Sequence, residues 1–207
     1  AELSGRGRCT ERETMKRLPL TACLLAAAFA YQADAASDTL DDADIDAAKE
    51  AIKSLAAALK AELGSAMQSG GPAAAIEVCN TRAMPITRKI ADENGLQIDR
   101  VSLRNRNPAN APNAWQAQVL EEFERRHAGG ADLATLSWSE TVQAEGGREF
   151  RYMKPIPTAG LCLTCHGTEL PPTVRQVLAE RYPADRATGF AEGDIRGAFV
   201  VTRMVSD

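Results

Sequence analysis

The sequence lacks a basic excess, has little histidine and has no long apolar run beyond its N-terminal region. Lys and Arg number 24 against 28 Asp and Glu, which gives a formal net charge of −4. Nucleic-acid binding normally requires a basic face, so that class of partner is disfavoured. Past the N-terminal region, no apolar stretch approaches the length that a membrane-spanning helix needs. We therefore expect no nucleic-acid partner, and no membrane span once the N-terminal segment is removed.

The N-terminal region has the pattern of a secretory signal. Met15-Lys16-Arg17 is basic, and Leu18 to Ala30 is a short apolar run. One Ala-x-Ala cleavage site, at 28–30, ends this run, and a second, at 33–35, follows it. This pattern is typical of a cleaved signal peptide, with an uncleaved anchor as the alternative. We predict a non-native or mis-called leader at 1–14, a signal peptide at 15–35 that directs export to the periplasm, and a single domain at 36–207.

The chemistry-bearing motif of the sequence is Cys162-Leu163-Thr164-Cys165-His166. Two thiols separated by two residues and followed by an imidazole are the attachment pattern of a c-type haem. In this interpretation Cys162 and Cys165 bind one haem covalently, and His166 is an axial ligand of its iron. A zinc site would need further Cys or His ligands, and the only other histidine is distant. A thiol redox pair is the stronger rival, but it gives His166 no role.

The second axial ligand is left open by the residues themselves. Removal of the signal peptide leaves three cysteines, so Cys79 is unexplained if the haem takes the other two. Methionine and histidine are the common choices in cytochromes c. The candidates are Cys79, Met67, Met84, Met153 and His127.

The hydrophobic spacing changes along the chain from helical to alternating. Helical spacing predicts a long first helix that breaks at Gly70-Gly71, a second helix that carries Cys79, and a third that ends near His127. Alternation then predicts strands at 134–138, 148–153 and 195–205, with a short helix inserted late. Lys154 to Pro157 is expected to be extended but not part of a central strand, because proline cannot donate to a ladder. Helices first and an antiparallel sheet second indicate an α+β fold.

Several segments together resemble a known family. These segments are Cys79 in its helix, Ser102 to Pro112 leading into Trp115, Cys162 to Gly167, and Gly193 to Phe199. They are similar to the single-haem, PAS-like c-type cytochromes, a former family of unknown function. The resemblance implies a PAS-like antiparallel sheet with N-terminal helices and a covalently attached haem. It also implies that His166 and Cys79 are the two axial ligands of the iron.

These ligands lead to a ranked set of functions. A thiolate stabilises ferric iron and lowers the reduction potential, which favours a redox or small-gas sensor over a high-potential carrier. A low-potential electron-transfer cytochrome with a redox partner protein is the alternative, and a thiol redox protein is the non-haem one. An enzyme such as a peroxidase ranks last, because two strong axial ligands leave no open position on the iron.

The haem propionates also need partners. Arginine can pair with a carboxylate through two hydrogen bonds, so we predict Arg104, Arg106 and Lys154 as candidate propionate contacts. The alternative is that these three are ordinary surface charges.

Overall fold

A computed structural model describes the backbone of residues 35–205 and the side chains of residues 42–205. The predicted leader lies outside these residues, and so does the predicted signal peptide except for its last residue, Ala35. In chain order the elements are α1 (Ala35–Thr81), α2 (Ala83–Asn94), β1 (Gln97–Val101), α3 (Ala114–Ala128), β2 (Trp138–Ala144), β3 (Gly147–Pro157), α4 (Leu163–His166), α5 (Pro172–Arg181) and β4 (Ile195–Val205). None of the helices described is long and apolar enough to span a membrane.

Helix α1 is interrupted at Gly71. This residue has φ 68° and ψ −162°, outside the helical region, and Pro72 follows it. Glycine adopts positive φ at little cost, and proline is tolerated in the first turn of the helical segment that resumes. The predicted break between two helices is therefore confirmed, and the second segment carries Cys79.

The four strands form one antiparallel sheet in the order β1-β4-β3-β2. Side chains alternate between the faces of a strand, so β4 contributes to two separate cores. Phe199 and Val201 pack with α1 and α2, whereas Ala198 and Val200 pack with Phe123 of α3. The α+β prediction, with helices at the N-terminal side of an antiparallel sheet, is confirmed.

One detail of the sheet agrees with the prediction and one differs. The segment Lys154 to Pro157 is extended and pairs with β4 as the last part of β3. It is not part of a central strand, because β2 begins at Trp138, opposite Met153, so past this point β3 has β4 as its one partner. Both prolines thus lie on a local edge, where no ladder hydrogen bond is lost. The strand predicted at 134–138 begins only at Trp138.

A β-bulge lies at the start of β4. Gly197 pairs with Ile156 and Ile195 pairs with Pro157, so Arg196 is the extra residue between them. Gly197 has φ +155°, and a Cβ there would lie 2.3 Å from the carbonyl oxygen of Val101 on β1. Glycine is therefore required for β1 to approach. Bulges redirect the side chain of the extra residue, and here that side chain is an arginine.

Candidate functional site

The motif residues share one helical turn. A 3₁₀ turn at Gly160–Cys162 continues directly into α4, Leu163–His166. Residues three apart on a helix are neighbours on the same face, so the thiols of Cys162 and Cys165 lie on one side of this turn. Both residues are partly exposed, and their thiols are not joined in a disulfide. The turn therefore presents two free thiols with His166 directly after them.

The ring of His166 is held in one orientation. Its Nδ1 lies 2.7 Å from the carbonyl oxygen of Ala187. A carbonyl only accepts hydrogen bonds, so Nδ1 carries the proton and Nε2 keeps its lone pair. Burial lowers the pKa of His166 to about 3, and the charges of Arg196 and Arg106 act in the same direction. A neutral imidazole with a free Nε2 and a hydrogen-bonded Nδ1 is the form that binds a metal.

Arg106 ties the motif to the loop that orients His166. Its Nη2 donates to the carbonyl oxygens of Cys165 at 2.5 Å and Ala187 at 3.1 Å. Its Nε donates to the carboxylate of Asp185 at 3.0 Å, and both side chains are largely buried, at 13% and 11% exposed. One guanidinium thus fixes the backbone of the motif and the carbonyl that positions the imidazole.

The end of α1 lies beside the same motif. Ile76 shares an apolar cluster with residues of α5 and with Tyr182, and Cys165 packs against this cluster. Glu77 accepts from Arg181 of α5 at 2.9 Å, and the side chain of Asn80 bonds to Tyr182. These contacts secure the turn that carries Cys79.

Cys79 is close enough to the motif to interact with it electrostatically. A charge on Cys79 acts on the thiol of Cys165 and raises its pKa, in addition to the larger effect of burial. The structure therefore brings together the odd cysteine and the motif, which are far apart in the sequence.

The thiol of Cys79 lies at the surface near several arginines. The residue is exposed to solvent, yet desolvation by the surrounding protein raises its pKa. The charges of Arg100, Arg196 and Arg106 act in the opposite direction and favour the thiolate. Among the described residues no hydrogen bond to its Sγ is present. An accessible thiol surrounded by cations is suited to act as an anionic ligand.

The predicted propionate contacts already have protein partners. Arg104 lies over the ring of Phe190, 3.9 Å from its centroid, and donates to the carbonyl oxygen of Thr188. Lys154 donates from Nζ to the carbonyl oxygens of three residues, Leu133, Ala134 and Leu136. Arg106 is engaged as described above. All three remain predicted contacts, but binding a propionate would require each to share or exchange its present partners.

The sequence patterns did not identify Arg100 and Arg196 as residues of the candidate site. Burial is the main cause that lowers the pKa of both guanidinium groups, and the charge of Arg100 lowers that of Arg196 further. Within residues 42–205 neither guanidinium has an ion pair or a side-chain hydrogen bond. For Arg196 the available signal was an arginine at the start of the largely apolar segment that forms β4. Arg100 lies in the short, mixed strand β1 and gave no comparable signal.

The other predicted sixth ligands have different surroundings. Met153 is fully buried in the core between the sheet and α3. His127 lies at the end of α3, with Nδ1 3.4 Å from the carbonyl oxygen of Ala131. Across the described part of the chain, no group of three or more His, Cys, Asp or Glu side chains could hold a metal ion. A four-ligand zinc site therefore has no support among those residues.

Acid sensitivity follows from the neutral state of His166. In the protein without haem, the free energy of unfolding is expected to fall as the pH drops from 6.5 towards about 3. In that window the unfolded chain binds a proton at His166 that the folded chain does not, so stability increases with pH by roughly 1 kcal/mol per pH unit. Urea unfolding at several pH values measures the slope. His166→Gln should flatten it, and an equal slope in both proteins would contradict the prediction.

Comparison with known proteins finds two matches over most of the chain. Residues 26–203 match the family model described as Tll0287-like. The crystal structure of the cyanobacterial heme-protein Tll0287 is similar, with a TM-score of 0.54 and 26% identity over 81% of this chain and 95% of that chain. A comparison with curated proteins gives no match.

Proposed function

The chain belongs to the Tll0287-like family, and we propose that it is a haem protein that carries one c-type haem attached covalently to Cys162 and Cys165. The family resemblance drawn from the sequence is confirmed by this match. The observation that carries the proposal is the motif turn, which combines two neighbouring thiols with a neutral imidazole whose Nε2 is free.

The residues around the motif fit the needs of a haem. When bound, the haem supplies a redox-active iron with two axial positions. His166 would occupy one of them through Nε2, since Nδ1 is already bonded to Ala187. Cys79 would occupy the other as a thiolate, because coordination to a metal deprotonates a thiol. The neighbouring arginines would partly offset the desolvation that raises the pKa of the free thiol. This pairing would hold the reduction potential low.

The two proposed ligands are held very differently. His166 is secured by its ring hydrogen bond and by the bond from the Phe190 amide to its carbonyl oxygen. Cys79 is exposed, and no hydrogen bond within the described residues restrains its Sγ. With a haem bound, Cys79 would be the less restrained of the two ligands and the one suited to dissociate on reduction of the iron. This asymmetry favours a sensor of redox state or of a small gas. The proposed location is the periplasm, because the N-terminal pattern is typical of an export signal and c-type haem is attached outside the cytoplasm.

A low-potential electron carrier with a redox partner protein is the second candidate, because the proposed thiolate and imidazole ligands would also suit that role.

Expression with c-type haem maturation tests the haem assignment. The wild-type chain is expected to give the mass of one added haem and the pyridine haemochrome spectrum of two saturated vinyl groups. The double variant Cys162→Ala/Cys165→Ala should lose all covalent haem, because no thioether can form. Cys79→Ala is the matched control and should keep it.

Wild-type protein without covalent haem would overturn the proposal in favour of the thiol redox alternative. For haem-bearing protein, spectral changes with carbon monoxide or nitric oxide support a sensor. Reversible redox cycling with no response to either gas supports the carrier.

A further inference from the structure

Two arginines lie close together on neighbouring strands. Arg100 is on β1, directly opposite Phe199 of β4, and Arg196 is the bulge residue on the same β4 strand. The close approach of β1 to Gly197 keeps the two strands in this register. Their charges interact, because Arg100 is the first charge that lowers the pKa of Arg196.

This pair is unfavourable unless an anion joins it. Desolvation is the largest cause that lowers the pKa of both guanidinium groups, and the charge of Arg100 lowers that of Arg196 further. A charge on Cys79 acts in the opposite direction on both arginines. In the part of the chain with described side chains, neither has a carboxylate partner or a side-chain hydrogen bond. Burying a charge costs free energy unless it is paired. Two such charges side by side are suited to a ligand with two negative groups.

The location of the pair indicates which ligand that is. Arg196 acts electrostatically on Cys162 and His166, and both arginines act on Cys79. The pair therefore borders the space between the motif and the end of α1. A haem attached at Cys162 and Cys165 has two propionate carboxylates, and arginine binds carboxylates through paired hydrogen bonds.

We propose that Arg100 and Arg196 form the binding site for the haem propionates. This inference rests on the proposed haem function and gives the propionate role to residues other than the three predicted from the sequence. Arg104, Arg106 and Lys154 instead hold backbone carbonyls in place around the motif. The unpaired arginines can bind two carboxylates without the loss of an existing protein contact.

Resonance Raman spectroscopy of the haem-bearing protein tests this site. Arg100→Gln and Arg196→Gln are each expected to shift the propionate bending bands, because a paired hydrogen bond to a carboxylate is lost. The iron–sulfur stretching band is recorded in the same spectra, because both arginines also act electrostatically on Cys79. Arg88→Gln, which removes the same charge from an exposed position on α2, is the control and should shift neither band.

Each outcome decides the proposal. Unshifted propionate bands in both Gln variants overturn it, and so does a shift confined to the iron–sulfur band, which would make the arginines counter-charges of the Cys79 thiolate. If the Gln variants do not fold, Arg100→Lys and Arg196→Lys keep the charge and should shift the propionate bands partway. Unshifted bands in the Lys variants also overturn the proposal. A wild-type chain without haem would contradict the proposed function rather than the propionate site. Mass analysis of the wild-type protein distinguishes the two results.

Discussion

Replacing Cys79 with methionine is expected to raise the midpoint potential of the haem iron by on the order of a few hundred millivolts. A thiolate is anionic and stabilises ferric iron, whereas a thioether is neutral and favours ferrous iron. Potentiometric titration followed by absorbance measures the change, and the ferric spectrum should lose its thiolate bands.

Two further variants make this result specific to Cys79. Met84→Leu in α2 and Met153→Leu in β3 remove two of the three methionines that the sequence left open as sixth ligands. Both should leave the midpoint potential and the spectra unchanged if Cys79 is the ligand. An unchanged potential in Cys79→Met would exclude Cys79 as the axial ligand. A large change in either Leu variant would identify the substituted methionine as the ligand instead.

Replacing Arg106 with methionine is expected to lower the free energy of unfolding by about 3–5 kcal/mol. The change leaves the Asp185 carboxylate, only 11% exposed, without its cation. It also removes the donor to the carbonyl oxygens of Cys165 and Ala187. Since the Ala187 carbonyl orients His166, the ligand field of the haem should become heterogeneous as well. Denaturant unfolding and electron paramagnetic resonance measure the two effects.

An exposed pair provides the comparison for Arg106. Arg82 bonds Glu62 at 3.5 Å with both side chains substantially exposed, so Arg82→Met should cost at most about 1 kcal/mol. The double variant Arg106→Met/Asp185→Leu should recover part of the loss, because no buried carboxylate is then left unpaired. Equal losses for Arg106→Met and Arg82→Met would mean that Arg106 is not an anchor of the motif.

Much of the helical region and part of the sheet could be predicted because their signals are local. The break at Gly71 follows from two adjacent glycines and a proline, and β4 coincides with the predicted strand at 195–205. Strand β1 was missed because it has only five residues and its apolar positions are few. The place of Lys154 to Pro157 in β3 depends on where β2 starts, and no local pattern contains that information.

The sequence by itself determined the attachment motif, because Cys162, Cys165 and His166 fall within one helical turn and their spacing alone sets their geometry. It also identified Cys79 as an unexplained thiol. Only the tertiary structure decided what surrounds them. Arg106 meets Asp185, Arg100 meets Arg196, and Cys79 lies near Cys165 through strand register, a bulge and helix packing. These contacts join residues far apart in the chain, so no short-range pattern of residues can specify them.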